Sequence, residues 1–185
     1  MKYSHFLDWL SSWNYYVQGL PYTFGGYVPG RDNAMRCIGE NERRRAGRPL
    51  QVLEIGSYRG HSAALWSSYG HVTCVDAWGL GPPSSERHPR YNYGIFLRNV
   101  RLLDLELRFG YGRSIQHIRG LSNDVLPGLA SDYYDIVYVD AAHDYASCQD
   151  DIRSAMRLVS KGGIVCVDDY NVEHPGVFQA VNEAF

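Results

Sequence analysis

Apolar positions follow two different periods along this chain. Phe6, Trp9, Leu10, Trp13, Tyr16 and Val17 recur at helical spacing and predict an amphipathic helix ending near Gly19-Leu20-Pro21. A loop follows through Gly25, Gly26, Pro29 and Gly30. A second helix is expected from Asn33 to Arg45, stopped by Gly47 and Pro49. Beyond it, short apolar runs alternate with helical stripes. Gln51–Ile55, His71–Val75, Leu105–Phe109, Asp135–Val139 and Gly163–Val167 read as strands. Tyr93, Phe96, Leu97, Val100 and Leu103 form one helical stripe, and Cys148, Ile152, Ala155, Met156 and Val159 another. Strand and helix in alternation imply an α/β fold, a mostly parallel sheet covered on both faces. Two parts are expected: a helical extension over 1–48, serving as lid or oligomer contact, and a sheet domain over 49–185. The stretch Gly79 to Pro89, with three prolines, reads as a surface loop.

Composition narrows the class. With 185 residues, 45% hydrophobic and 21% charged, the chain has the profile of one soluble globular domain. A formal net charge of −2 argues against a nucleic-acid footprint, and no apolar run approaches the roughly 20 residues that span a bilayer. Cys37, Cys74, Cys148 and Cys166 show no C-x-x-C spacing, and Cys74 and Cys166 sit in apolar runs, so a reducing, cytoplasmic setting is expected. Aromatics make up 14% and serve packing first, with a pocket or lid for a flat organic substrate as their second use. Arg43, Arg44, Arg45 and Arg48 sit where a helix C-terminus favours cations.

The chemistry concentrates at strand ends. After Val52–Ile55 the chain must turn sharply, and Gly56 and Gly60 supply the freedom. The helix starting near His61 points its free N–H groups back at a ligand. Glu54 precedes this turn, and Asp76 ends the next strand, where a ribose diol is gripped. A dinucleotide fold wants G-x-G-x-x-G for its pyrophosphate; here Glu54 replaces the first glycine. A carboxylate there repels a pyrophosphate and is compatible with a cofactor carrying ammonium and sulfonium charges.

A second group is acidic. Asp140 ends the strand Tyr134–Val139, and Asp168-Asp169 follow Gly163–Val167. In a parallel sheet both ends open onto one crevice. Three carboxylates so close raise one another's pKa values, and a hard divalent cation, Mg²⁺ or Ca²⁺, resolves the repulsion. The alternative is that these acids cap helices or turns, with Asp144 the better cap. His143, on the same rim, is either a general base or a ligand-orienting loop residue.

The run Val52-Leu53-Glu54-Ile55-Gly56-Ser57-Tyr58-Arg59-Gly60-His61-Ser62 resembles the first motif of class I S-adenosylmethionine-dependent methyltransferases. The resemblance runs from about Leu50 to Phe185 and is nearest the catechol-type and macrocin-type small-molecule O-methyltransferases. It implies a Rossmann-like, doubly wound sheet of strand order 3-2-1-4-5, with the usual C-terminal antiparallel strand pair missing or shortened. It implies that Glu54, Gly56, Ser57, Tyr58, Gly60 and Ser62 surround the methionine end of the cofactor, with Asp140 nearby. Asp76 would take the ribose and Trp78 would lie beside the adenine. Arg113 and Ser114, after the third strand, match the adenine-edge position. It also places metal ligands at Asp140, Asp168 and Asp169. Two departures stand out: catechol-type enzymes carry a lysine where this chain has His143, and macrocin-type relatives use an acid where it has Ala142.

The expected reaction is metal-assisted methylation of a hydroxyl on a small acceptor, aromatic or sugar, with His143 as base. No nucleic-acid or membrane partner is expected. A homo-oligomer is expected if the strand Gly163–Val167 is left at an open edge. The rivals are a non-catalytic cofactor-binding or assembly protein and a nicotinamide-dependent oxidoreductase.

Overall fold

The computed structural model describes residues 29–80, 89–107 and 114–185. The aromatic stripe of residues 6–17, most of the loop after Gly79, and Arg113 lie outside the described residues. In chain order the elements are α1 (Pro29–Ala46), β1 (Leu50–Ile55), α2 (His61–Ser67), β2 (Gly70–Asp76), α3 (Pro89–Leu107), β3 (Ile115–Arg119), α4 (Ser122–Val125) with a 3-10 turn, β4 (Tyr134–Val139), α5 (Tyr145–Leu158), β5 (Val159–Val167) and α6 (Pro175–Ala184). The strands form one sheet ordered β3-β2-β1-β4-β5, every pair parallel. This is the expected Rossmann-like order.

The period-2 pattern of β1 explains the two layers. Leu50 and Val52 face a core shared with Met35 of α1, Trp66 of α2 and Phe96 of α3. Leu53 and Ile55 point the other way, into a core with Leu126, Ala155 and Leu158. β1 and β4 are buried almost throughout because helices cover both faces. At their amino ends Arg48 forks onto Asp135 with two contacts of 2.8 Å, and the Gln51 amide donates to the same carboxylate. A bidentate pair of this kind sets register as well as adding energy.

One strand differs from expectation. Leu105, placed in a strand by the sequence, lies in the last turn of α3, and the third strand is Ile115–Arg119. Four of the five β3 residues are exposed or half-buried, as befits an edge of the sheet. An edge strand lacks the apolar run that marks a buried one. Among the described residues no helix is long and apolar enough to cross a membrane.

Candidate functional site

β1 delivers its chain to a turn built on Gly56 (φ 88°) and Gly60 (φ 86°). A Cβ on Gly56 would stand 2.0 Å from the carbonyl oxygen of Asp140. The Asp140 amide donates to Ile55 O at 2.8 Å, so the ends of β1 and β4 are drawn together where only glycine fits. Tyr58 also adopts a left-handed conformation, φ 46°. The clamp on this turn is Asp76. Its Oδ2 accepts from the amides of Ser57 (2.9 Å) and Tyr58 (2.8 Å), and its Oδ1 from the amide of Trp78 (2.7 Å). Burial raises the Asp76 pKa, and those three amides pull it back.

Beneath the turn Glu54 is fully buried. The Cys74 thiol donates to its Oε2 at 3.4 Å. Burial pushes the Glu54 pKa upward. The hydroxyls of Ser57 and Ser62 and the Cys74 thiol pull it back, so this acid is held inside the turn by its neighbours.

Two residues expected beside the adenine, Trp78 and Ser114, do not line the cleft. Trp78 is completely buried under α3, its ring 4.5 Å from Phe96 and 4.9 Å from Tyr93, while its indole N–H donates to Tyr58 O at 2.7 Å. A large aromatic beside a helix was taken by the core. Ser114 stands just before β3, 3.0 Å from His71 Nδ1, at the opposite end of the sheet from Asp76. Leu121, Ser122 and Asn123, after β3, line the cleft.

The acids beyond β4 and β5 are arranged in an unexpected way. Arg31, at the start of α1, reaches Asp168 Oδ2 at 3.1 Å. The hydroxyl of Tyr138 donates to the same oxygen at 2.5 Å, and the Asp169 amide donates to Asp168 Oδ1 at 2.9 Å. Burial works against ionisation of Asp168, yet these partners hold its carboxyl below the usual range. Burial and the charge of Asp168 push Asp140 up to about 8. Asp169, in a left-handed conformation at φ 56°, turns away toward His143, whose Nε2 lies 2.9 Å from its Oδ2. The His174 ring lies against that of His143, centroids 4.3 Å apart and tilted by 46°. The three expected carboxylates therefore form no common ligand set. Among the described residues the ligand-type atoms that gather within 4.8 Å belong to His143, Asp169 and His174. Asp144 caps α5 through the Ser147 amide.

These groups border one cleft of about 1000 Å³ at the carboxyl ends of the strands. Gly56, Ser57, Tyr58, Ser62, Asp76, Asp140, His143 and Asp169 share its wall; Glu54, Gly60, Trp78, Ser114 and Asp168 do not. Arg31, His61 and Asp151 also line it and were not anticipated. Arg31 falls between the expected loop and the helix expected from Asn33, and its partner Asp168 is 137 positions away, a pairing that no local pattern announces.

A family model described as a methyltransferase domain matches residues 53–170. No curated protein matches the sequence. Solved structures of similar fold include an O-methyltransferase from Bacillus cereus in complex with SAH, 16% identical, TM-score 0.63, covering 96% of this chain and 76% of that one. Another is the O-methyltransferase NovP, 24% identical, TM-score 0.62, covering 83% of this chain and 69% of that one. A third is CalS11, a TDP-rhamnose 3'-O-methyltransferase, 15% identical, TM-score 0.53, covering 83% and 69%. At these identities the likeness is one of fold.

Proposed function

Because this chain belongs to the methyltransferase-domain family, we propose that it moves the methyl group of S-adenosylmethionine to a hydroxyl of a small organic acceptor. The observation that carries this reading is the shared cleft: the Gly56 turn and the His143–Asp169 pair open into one cavity. S-adenosylmethionine supplies, when bound, a methyl activated by its sulfonium. The residues present fit it. Ser57, Tyr58 and Ser62 line the cleft beside the turn, and Gly56 lets backbone approach. Asp76 uses three of the roughly four acceptor positions of a carboxylate, leaving one for a ribose hydroxyl.

His143 directs Nε2 at Asp169 and keeps Nδ1 for the proton of the acceptor hydroxyl. The carboxylate of Asp169 orients the ring and stabilises the imidazolium that forms, as a carboxylate does for a histidine base. Holding acceptor and methyl in line carries much of the remaining barrier reduction. The acids do not fit a three-carboxylate metal centre as arranged, since Arg31, Tyr138 and the Asp169 amide occupy Asp168. No step here depends on a metal. The guanidinium of Arg31 supplies the positive charge beside Asp140 and Asp168.

Calorimetry with S-adenosylhomocysteine against NAD tests the cofactor. Binding of the first alone is expected; binding of NAD alone sinks the proposal. Turnover is then screened over hydroxylated aromatics and sugars, the sugar arm prompted by the TDP-rhamnose enzyme among the similar folds.

A further inference from the structure

The loops after β4 and β5 bring two histidines to one carboxylate. Asp169, turned by its left-handed backbone, has Oδ2 2.9 Å from His143 Nε2 and Oδ1 3.9 Å from His174 Nε2. The second distance is too long for a hydrogen bond. The backbone beneath holds the two rings together. The side chain of Asn171 accepts the amides of Glu173 and His174, which fixes the turn that carries His174. Gly176 then lets the start of α6 press on the loop after β4. A Cβ at Gly176 would stand 2.4 Å from the carbonyl oxygen of His143.

Two imidazole nitrogens and a carboxylate that face one another suit a borderline transition-metal ion rather than Mg²⁺. Zinc holds such donors at about 2.0–2.1 Å, which puts two of them about 3.3 Å apart on a tetrahedron. The observed 2.9 and 3.9 Å lie on either side of that spacing, and all three ligand atoms fall within 4.8 Å of one another. All three side chains are partly exposed, so an ion can reach them and water can fill a fourth position. We propose that His143, Asp169 and His174 bind a divalent ion of the zinc class at the rim of the cleft, and that this ion switches the His143 base off. Asp140 and Asp168 take no part, so the donor set differs from the three carboxylates expected of the sequence. The switch, though not the site, rests on the methyltransferase reading above. Paired with Asp169, the ring of His143 carries its proton on Nε2 and offers the lone pair of Nδ1 to the acceptor hydroxyl. An ion on Nε2 leaves the neutral ring with its one proton on Nδ1. That tautomer has no lone pair left to take the acceptor's proton.

Calorimetry of the full chain, stripped of metal, tests the site with neither cofactor nor acceptor present. Zn²⁺ should bind, and Mg²⁺ at the same concentration should not. His174→Ala and Asp169→Asn should each weaken zinc by about tenfold or more, since losing even an outer-shell partner costs about that much. His117→Ala, which removes an exposed histidine of β3, should bind zinc as the wild type does. In turnover, Zn²⁺ should inhibit the wild type and a chelator should reverse the inhibition. His174→Ala should keep its rate at a zinc concentration that halves the wild-type rate. No zinc binding by the wild type, or unchanged affinity in both ligand variants, overturns the site. Zinc that fills the site without slowing turnover overturns the switch. A chain that binds zinc through these residues yet methylates no acceptor removes the methyltransferase reading and upholds the site.

Discussion

The two sides of the cleft treat their acids differently. On the β1–β2 side Asp76 is spent on architecture, accepting three backbone amides that lock the Gly56–Gly60 turn. On the β4–β5 side the acids are divided among side chains: Asp168 to Arg31 and Tyr138, Asp169 to His143. The first side is held together by backbone amides. The second is assembled from side chains of distant segments and reads charge. Its histidine is 45% exposed, whereas Glu54 and Ser57 under the turn are buried. In the proposed reaction the cofactor would meet the first side and the acceptor, which must enter and leave, the second.

The severest way to break this division is Gly56→Ala. The added methyl meets the Asp140 carbonyl at 2.0 Å in a conformation with φ 88°, and an alanine there should cost on the order of 3 kcal/mol or more. Thermal melting and calorimetry should show lost stability together with lost S-adenosylhomocysteine binding. His143→Ala should do the opposite. Turnover should fall about 100-fold or more while ligand affinity and melting hold, as for removal of a general base. Equal losses in affinity and rate would mean that the two sides are not separate.

A smaller effect sharpens the contrast between paired and unpaired acids. The Asp151 pKa rises from 3.8 to about 6 on folding, so the folded chain keeps a proton that the unfolded chain has released. Stability from this group is therefore greatest below pH 4, falls as pH rises to about 6, and is flat beyond, for a total of roughly 3 kcal/mol. Denaturant melts of Asp151→Asn should lack that decline relative to wild type; parallel pH profiles would contradict it. The smallest effect concerns metal. A chelator should leave turnover unchanged, because Arg31 already compensates the acids; a chelator-sensitive rate restored by Mg²⁺ would return Asp140 and Asp169 to the role of ligands.

What could be read from the sequence divides along a similar line. The β1–turn–α2 unit is local, and its residues Glu54, Gly56, Gly60 and Asp76 announce it through apolar alternation and the need for positive φ. β4 and β5 are apolar runs and were legible too. β3 was not. Leu105-Glu106-Leu107 alternates like a strand while continuing the stripe of Tyr93, Phe96 and Val100, and the helix won. The true strand, Ile115-Gln116-His117-Ile118-Arg119, is polar because it lies at an edge. With that one displacement the residues that follow the third strand and line the cleft are Leu121–Asn123 rather than Arg113 and Ser114. Asp151 was invisible for another reason: an acid on an amphipathic helix reads as solvated, and only packing shows that it is buried.

The Arg31–Asp168 pair carries a consequence for how the molecule comes into being. Its partners are 137 positions apart, and β5 must dock before the pair can close. Contacts of such long range form late, after loop-closure entropy has been met. During synthesis the glycine turn, with β1 and β2, emerges and can organise early, while the Arg31–Asp168 pair cannot close until the chain has grown past residue 168. The nascent protein acquires its cofactor turn first and its acidic rim last.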